Sequence, residues 1–134
     1  MKKEIAFVCL ANTSRSQMAE VFAKNDTKGC MAIYSAGVNP GYSINENVIL
    51  VMEELGLKMD NQYPKKIQEI PGKVDVLVIM DPVLEVQGIS AEKVLRWDIQ
   101  DPVGKEVAFF RETRDMIRMK VADLVEEQER NCTV

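Results

Sequence analysis

The sequence predicts an α/β fold, a three-layer, doubly wound sandwich around a four-stranded parallel sheet with a Cys-x5-Arg loop after the first strand. Three observations lead there. Short apolar runs alternate with segments of helical period, the pattern of strand, crossover, strand. The first run, Lys3 to Cys9, has too many consecutive apolar residues for a strand with one wet face, so it belongs in the middle of a sheet covered on both faces by helices. That run ends at Cys9, with Arg15 where a helix begins, and the carboxyl ends of strands are where open α/β sheets bind ligands.

The remaining elements follow from local chemistry. From Ser16 to about Asn25, Met18, Val21 and Phe22 share one helical face. Cys30 to Ser35 reads as the second strand, with Cys30 as a core residue, and Asn39-Pro40-Gly41 as a turn beyond it. Ser43 and Glu46 have capping-box spacing, and Ile44, Val48, Val51, Met52 and Leu55 then recur at helical intervals until Gly56 ends the element. Lys58 to Gly72, with Pro64 and Pro71 and no long period, is a surface connection with at most a turn of helix. Val74 to Met80 is the third strand, with Asp75 at its beginning or edge, and Lys93 to Trp97 a shorter fourth. Arg96 to Gly104 is a polar loop in which Pro102 keeps Asp101 out of helical conformation. From Lys105 the chain is helical, with Phe110, Ile117, Val121 and Leu124 on one stripe, and Asn131 to Val134 is expected to fray.

Composition narrows the function. The 134 residues suit one domain, 1–134, and 46% hydrophobic with 28% charged residues is ordinary for a globular chain. No apolar run is long enough to span a bilayer and Met1-Lys2-Lys3 leads directly into a strand, so a cytoplasmic protein without membrane partners is expected. A net charge of −4 argues against a nucleic-acid surface. The three cysteines, Cys9, Cys30 and Cys132, are far apart and lack metal-ligand spacing, and there is no histidine. Neither a metal nor a cofactor is expected, and Cys-His or Ser-His catalysis is excluded.

An activated Cys9 must therefore rely on backbone dipoles and on Arg15. Between them lie Leu10, Ala11, Asn12, Thr13 and Ser14, mostly small or polar, whose N–H groups can curl around a tetrahedral oxyanion such as phosphate or arsenate. A guanidinium fork matches two of its oxygens, and the start of the helix adds unpaired N–H groups. The same positive field favours thiolate over thiol. A phosphoryl transfer to this sulfur also needs an acid to protonate the departing oxygen. The loop has none, and Asp81, Asp98 and Asp101 at strand ends are the candidates, unranked by sequence alone.

Val8-Cys9, Asn12, Arg15-Ser16 and Met18-Ala19-Glu20 resemble the phosphate loop of the low-molecular-weight protein tyrosine phosphatases and related arsenate reductases. Ser35-Ala36-Gly37, Asp101-Pro102 and the closing helix stand in the matching order over nearly the whole chain, and Gln17, where the phosphatases usually carry proline, points to the reductase branch. The resemblance implies Cys9 as nucleophile, Arg15 as oxyanion ligand and Asp101 as general acid. It also implies that Asn12 holds the loop, that Ser16 donates to the thiolate and that Ser35 joins their network.

The departures from that family shape the functional expectation. Ala11 stands where glycine is usual, which would strain a left-handed position, and Ser14 where the phosphatases often carry a second cysteine. Thioredoxin-coupled arsenate reductases pass oxidation to two cysteines after the third strand, but Val78 to Gly88 contains none. Lys65 falls where that subgroup often has an aspartate for a cation, and Val103 replaces the tyrosine usual after Asp-Pro, which leaves Leu10 as one apolar wall. The expected function is a phosphate-monoester hydrolase acting on a phosphoprotein. The alternatives are an arsenate reductase served by an external thiol or a thioredoxin- or glutaredoxin-like partner, and a catalytically weak oxyanion-binding regulator.

Overall fold

The computed structural model describes residues 2–130. Strands β1 (Lys3–Cys9), β2 (Met31–Gly37), β3 (Lys73–Ile79) and β4 (Ser90–Arg96) pair in parallel in the order β2-β1-β3-β4. Helices α1 (Arg15–Thr27) and α2 (Glu46–Glu53) follow β1 and β2, a 3-10 turn at Ile67–Glu69 precedes β3, and α3 (Val107–Arg130) follows β4. As expected, β1 is interior, and Ile5 to Cys9 are all buried. The edge strand β4 instead alternates between exposed and half-buried, with Glu92, Lys93 and Arg96 on it, which blunts the edge against pairing with another chain.

Both faces of the sheet are covered, though unequally. On one face Ile5, Phe7, Val76 and Val78 pack into a core shared with α1, α2 and α3. On the other, Ala6, Val8, Leu77 and Ile79 lie beneath Ile67 and Ile70 of the connection and beneath Leu84, Val86 and Ile89. The helices expected on both faces thus lie on one, and the third layer is a 3-10 turn and extended chain, because Lys58 to Gly72 lacks the apolar period that a covering helix needs. Trp97, the one large aromatic of the polar loop, turns inward against Phe7 with ring centroids 5.9 Å apart, and this anchors the start of the loop that carries Asp101.

Two local expectations need correction. Asn45, not Ser43, caps α2, with its side chain accepting from Asn47 N at 2.9 Å, because the chain turns into the helix two residues later than the capping-box spacing suggested. Cys30 is exposed and precedes β2 instead of lying in the core. Asp75 stands near the beginning of β3, as expected, and its side chain accepts the Glu4 N–H at 2.7 Å. The expected fraying at Asn131 to Val134 lies outside the described residues.

The sheet brings the end of β2 against the loop after β1. Gly37 pairs with Cys9, and a Cβ on Gly37 would come within 2.9 Å of Ala11 C and of Leu10 O. Since both neighbours are backbone, Gly37→Ala is expected to cost about 1–3 kcal/mol in urea denaturation. At Gly72 the nearest atom to an added Cβ is Gly88 O at 3.9 Å, so Gly72→Ala should be much milder. Equal stability of the two variants would show that the β2–loop contact is not tight.

Candidate active site

The loop between β1 and α1 has its carbonyl groups turned outward. Cys9 O, Leu10 O, Ala11 O and Thr13 O accept from Val38, Asn39, Gly41 and Asn45 N–H at 2.8 to 3.2 Å, which fastens the loop to the segment after β2. The N–H groups of Ala11, Thr13 and Ser14 donate to no described residue. A loop so held on its carbonyl side presents unpaired N–H groups on its other side, continuous with the free N–H groups of the first turn of α1. The left-handed position falls at Asn12, with φ 55°, and not at Ala11, so the expected strain at the alanine is absent. Asparagine is among the non-glycine residues that tolerate this region best. Ser14, the residue before α1, has a buried hydroxyl with no hydrogen-bond partner in the described residues.

Cys9, at the end of β1, is buried, with its Sγ 2.8 Å from Ser16 Oγ and accepting the Asn12 N–H at 3.3 Å. Asn12 Nδ2 donates to Ser16 Oγ at 2.7 Å and to Ser35 Oγ at 3.0 Å, so the residues expected to support the nucleophile form one connected network. Arg15 opens α1 and is buried. Its Nη1 donates to the carbonyls of Met80 (2.8 Å) and Ile99 (2.9 Å) and to Asp81 Oδ1 (3.2 Å), which anchors the guanidinium to the ends of β3 and of the segment after β4. Its Nε and Nη2 donate to no described residue within hydrogen-bond distance, and they form the edge that can take two oxygens of an anion.

The three candidate acids are now distinct. Asp81 accepts from Arg15 on Oδ1 and from Val83 and Leu84 N–H on Oδ2, at 3.1 and 2.9 Å. Partial burial pushes its pKa up, but these hydrogen bonds and the Arg15 charge outweigh burial and leave it below the usual aspartate value. Asp101 is about half exposed, with Oδ2 3.8 Å from Arg15 Nη2 and Oδ1 accepting only the Val103 N–H. Asp98 is exposed and is paired with none of the site residues. Leu10 and Val103 are both about half exposed.

Sequence reasoning did not find the polar groups beneath the loop. Gln17 is fully buried and bonded to Asn12, Tyr63 and Gln62. Glu20 is also buried, accepts the Ser35 hydroxyl, and is flanked by the ammonium groups of Lys24 and Lys65, the latter at 3.5 Å. The sequence signal was the density of polar residues, Arg15, Ser16, Gln17 and Glu20, in the first two turns of α1, where every residue from Arg15 to Glu20 is buried. Lys65 already brings a positive charge to the place where a cation would be held, so these residues do not fit a bound metal ion. No cluster of three or more carboxylate or thiol ligands occurs among the described residues.

Burial pushes the Glu20 pKa up, but the hydrogen bonds from Lys24 and Ser35 and the charges of Lys65 and Lys24 bring it below the ordinary 4.5. A carboxyl depressed on folding stabilises the native state above its unfolded value and loses that contribution as pH falls through its folded value. The stability gap between wild type and Glu20→Gln, from urea denaturation, should therefore be widest near neutrality and narrow as pH drops below about 4. A gap that stays constant with pH would show that the charge on Glu20 does not stabilise the fold.

The sequence matches the profile of the family described as Low molecular weight phosphotyrosine protein phosphatase over residues 4–133. It is 32% identical to an arsenate reductase of Brevibacillus brevis over 133 residues, 96% of this chain and 98% of that one. It is 30% identical to a glutaredoxin arsenate reductase of Synechocystis sp. over 127 residues, 92% and 96% of the two chains. A solved structure of an arsenate reductase in the phosphate binding state superposes with a TM-score of 0.85 at 29% identity, covering 93% of this chain and 98% of that one. With the fold, the loop and these relatives in agreement, the chain belongs to the low-molecular-weight phosphotyrosine protein phosphatase family, in its arsenate reductase-like branch.

Proposed function

We propose that this protein is a cysteine-dependent phosphate-monoester hydrolase of the low-molecular-weight protein tyrosine phosphatase type, acting on a phosphoprotein. The observation that carries this reading is the half-exposed Asp101 carboxylate beside the anion-binding edge of Arg15, above a thiol seated in an N–H-lined loop. Cys9 Sγ attacks phosphorus, the bond to the ester oxygen breaks, and Asp101 gives that oxygen its proton. The Arg15 Nε and Nη2 groups and the loop N–H groups hold the phosphoryl oxygens as charge redistributes. Water then attacks the phosphocysteine, Asp101 takes the water proton, and phosphate leaves Cys9 as thiolate. Asp81 is unsuited to the acid role because its oxygens accept from Arg15 and two backbone N–H groups, and we assign it to holding Arg15 in place.

Arsenate reduction is the second reading, favoured by the arsenate reductases similar to this chain over nine-tenths of its length. Arsenate would bond to Cys9 with loss of water. An external thiol would then attack Cys9 sulfur, arsenite leaving with the bonding electron pair, and a second external thiol would release Cys9 from the mixed disulfide. The glutaredoxin in the name of the Synechocystis relative supports a reductant of this kind.

The two readings separate in one set of assays. Turnover of p-nitrophenyl phosphate, and arsenate reduction with glutathione, mycothiol or thioredoxin systems, are each compared with Cys9→Ser. The hydrolase reading expects Cys9-dependent release of phosphate without any thiol. With phenyl or alkyl phosphates, Asp101→Asn should lower single-turnover rates by about 10²–10⁴-fold, with smaller losses on activated esters. Asp81→Asn should chiefly weaken oxyanion binding. Thiol-dependent arsenate reduction without hydrolysis would overturn the first reading in favour of the second. An unchanged leaving-group dependence in Asp101→Asn would remove Asp101 as the acid.

A further inference from the structure

We propose that Gln17 is a positioning residue for the nucleophile. By fixing the orientation of the Asn12 amide, it directs the Ser16 hydroxyl hydrogen onto Cys9 Sγ. The inference rests on Cys9 as the reactive sulfur and does not depend on which reaction Cys9 performs.

Backbone groups, whose hydrogen-bonding direction is fixed, set the direction of this network. Gln17 Nε2 lies 3.0 Å from Asn12 O, 2.9 Å from Asn12 Oδ1 and 2.9 Å from Tyr63 O. Two of these are backbone carbonyls, which only accept, so the amide nitrogen and not the amide oxygen must face them. The opposite end agrees, because Gln17 Oε1 accepts from Gln62 Nε2 at 2.7 Å. The two hydrogens of that nitrogen serve three acceptors, so one is shared between Asn12 O and Asn12 Oδ1, and Oδ1 also accepts the Lys65 backbone N–H at 2.9 Å, two donors that together hold the amide in one orientation. With its oxygen so engaged, Asn12 must give its two amide hydrogens to Ser16 and Ser35. Both hydroxyls then accept, and each keeps one hydrogen to give. Ser35 gives its hydrogen to Glu20, which as a carboxylate can only accept. Ser16 is left to donate to Cys9 Sγ at 2.8 Å. Were Asn12 turned over, its oxygen would attract the Ser16 hydrogen and the sulfur would lose a donor.

Gln17, Asn12, Ser16 and Ser35 are all fully buried, so water does not readily replace a missing partner. The direction of the network is therefore set by protein groups, and Gln17 carries it from the 62–65 segment to the sulfur.

Gln17→Met is close in volume and neutral, so it leaves in place the charges around the network. These are Arg15, Glu20 and Lys24 of α1, Lys65 of the connection, and Asp81 and Asp101 beyond β3 and β4. The rate of Cys9 alkylation by iodoacetamide, followed by peptide mass spectrometry, is measured against pH in wild type, Gln17→Met, Ser16→Ala and the double variant. With a hydrogen-bond donor to the sulfur lost, alkylation of Gln17→Met should need higher pH than that of wild type. In the Ser16→Ala background the same substitution should have no further effect, since the route runs through that hydroxyl. An unmoved pH dependence, or an equal shift with and without Ser16, would overturn the proposal. If Gln17→Met does not fold, hydrogen exchange of the wild-type Asn12 and Gln17 side-chain amides, read by NMR, decides it. Exchange strongly slowed for both supports the clamp, and exchange at the rate of an exposed amide overturns it. Failure of the hydrolase reading is recognised separately, as absence of Cys9-dependent phosphate release from a protein whose Cys9 alkylates normally.

Discussion

An anion-binding loop faces one demanding constraint. Its N–H groups must stay unpaired inside the protein, yet the loop must not relax to pair them. Unsatisfied buried donors are costly, so such a loop persists only if its other groups are tied elsewhere. Here the carbonyls of Cys9, Leu10, Ala11 and Thr13 are bound by the segment after β2, and Asn12 takes the left-handed turn that the curl requires. Gly37 allows β2 to approach because it has no side chain, and its own N–H donates to Lys65 O at 2.8 Å. The connection before β3 is thereby tied to the same strand end that supports the loop. Sheet order, strand length and the two flanking segments all serve this one arrangement.

That dependence explains which parts were legible in the sequence. The apolar run of Ile5 to Cys9 reads as an interior strand, and the residues from there to Arg15, small or polar except Leu10, read as a turn into a helix. These signals are local and single out Cys9 and Arg15, whereas Asn12, Ser16 and Ser35 were implied only by the family resemblance. What remained hidden depends on contacts across the chain. Gln17 and Glu20 look like solvent-facing positions of a helix until the 62–65 segment and β2 are seen to cover them. Cys30 looks like a core residue because it borders an apolar run, but the strand begins one residue later, and an element boundary decides burial there. The cap of α2 moved to Asn45 for a related reason: Asn45 N donates to Thr13 O, which fixes where the chain leaves the loop and the helix can start.

The two Asp-Pro pairs show the same limit more sharply. Asp81-Pro82 and Asp101-Pro102 are alike in sequence, both at the ends of strand-like segments and both held extended by proline. Tertiary position separates them. Asp81 directly follows the end of β3, close enough for Oδ1 to accept from Arg15, and the chain after it curls so that two N–H groups bind Oδ2. Asp101 lies further along a loop held by Trp97 and Ile99, which carries it to the other side of the same guanidinium, with one oxygen at 3.8 Å and open to solvent. One carboxylate is thus suited to fixing the arginine and the other to exchanging protons.

Phosphate and arsenate have the same shape and charge, so a cradle of this kind cannot by itself choose between them. On the two readings proposed above, the difference lies in how a bond to Cys9 would be broken afterwards. Relay to a second thiol of this chain would need a cysteine within about 7 Å between Cα atoms. Cys30 precedes Met31, which pairs with Lys3 at the opposite end of β1 from Cys9, so it stands about 20 Å away along a strand that rises roughly 3.3 Å per residue. The segment after β3, which borders Arg15, offers Asp81 in place of a thiol. Among the described residues, then, the loop and Arg15 are bordered, besides the Cys9 sulfur, by nitrogen donors and carboxylates, groups suited to water and proton transfer. Electrons for arsenic would have to come from a thiol outside this part of the chain.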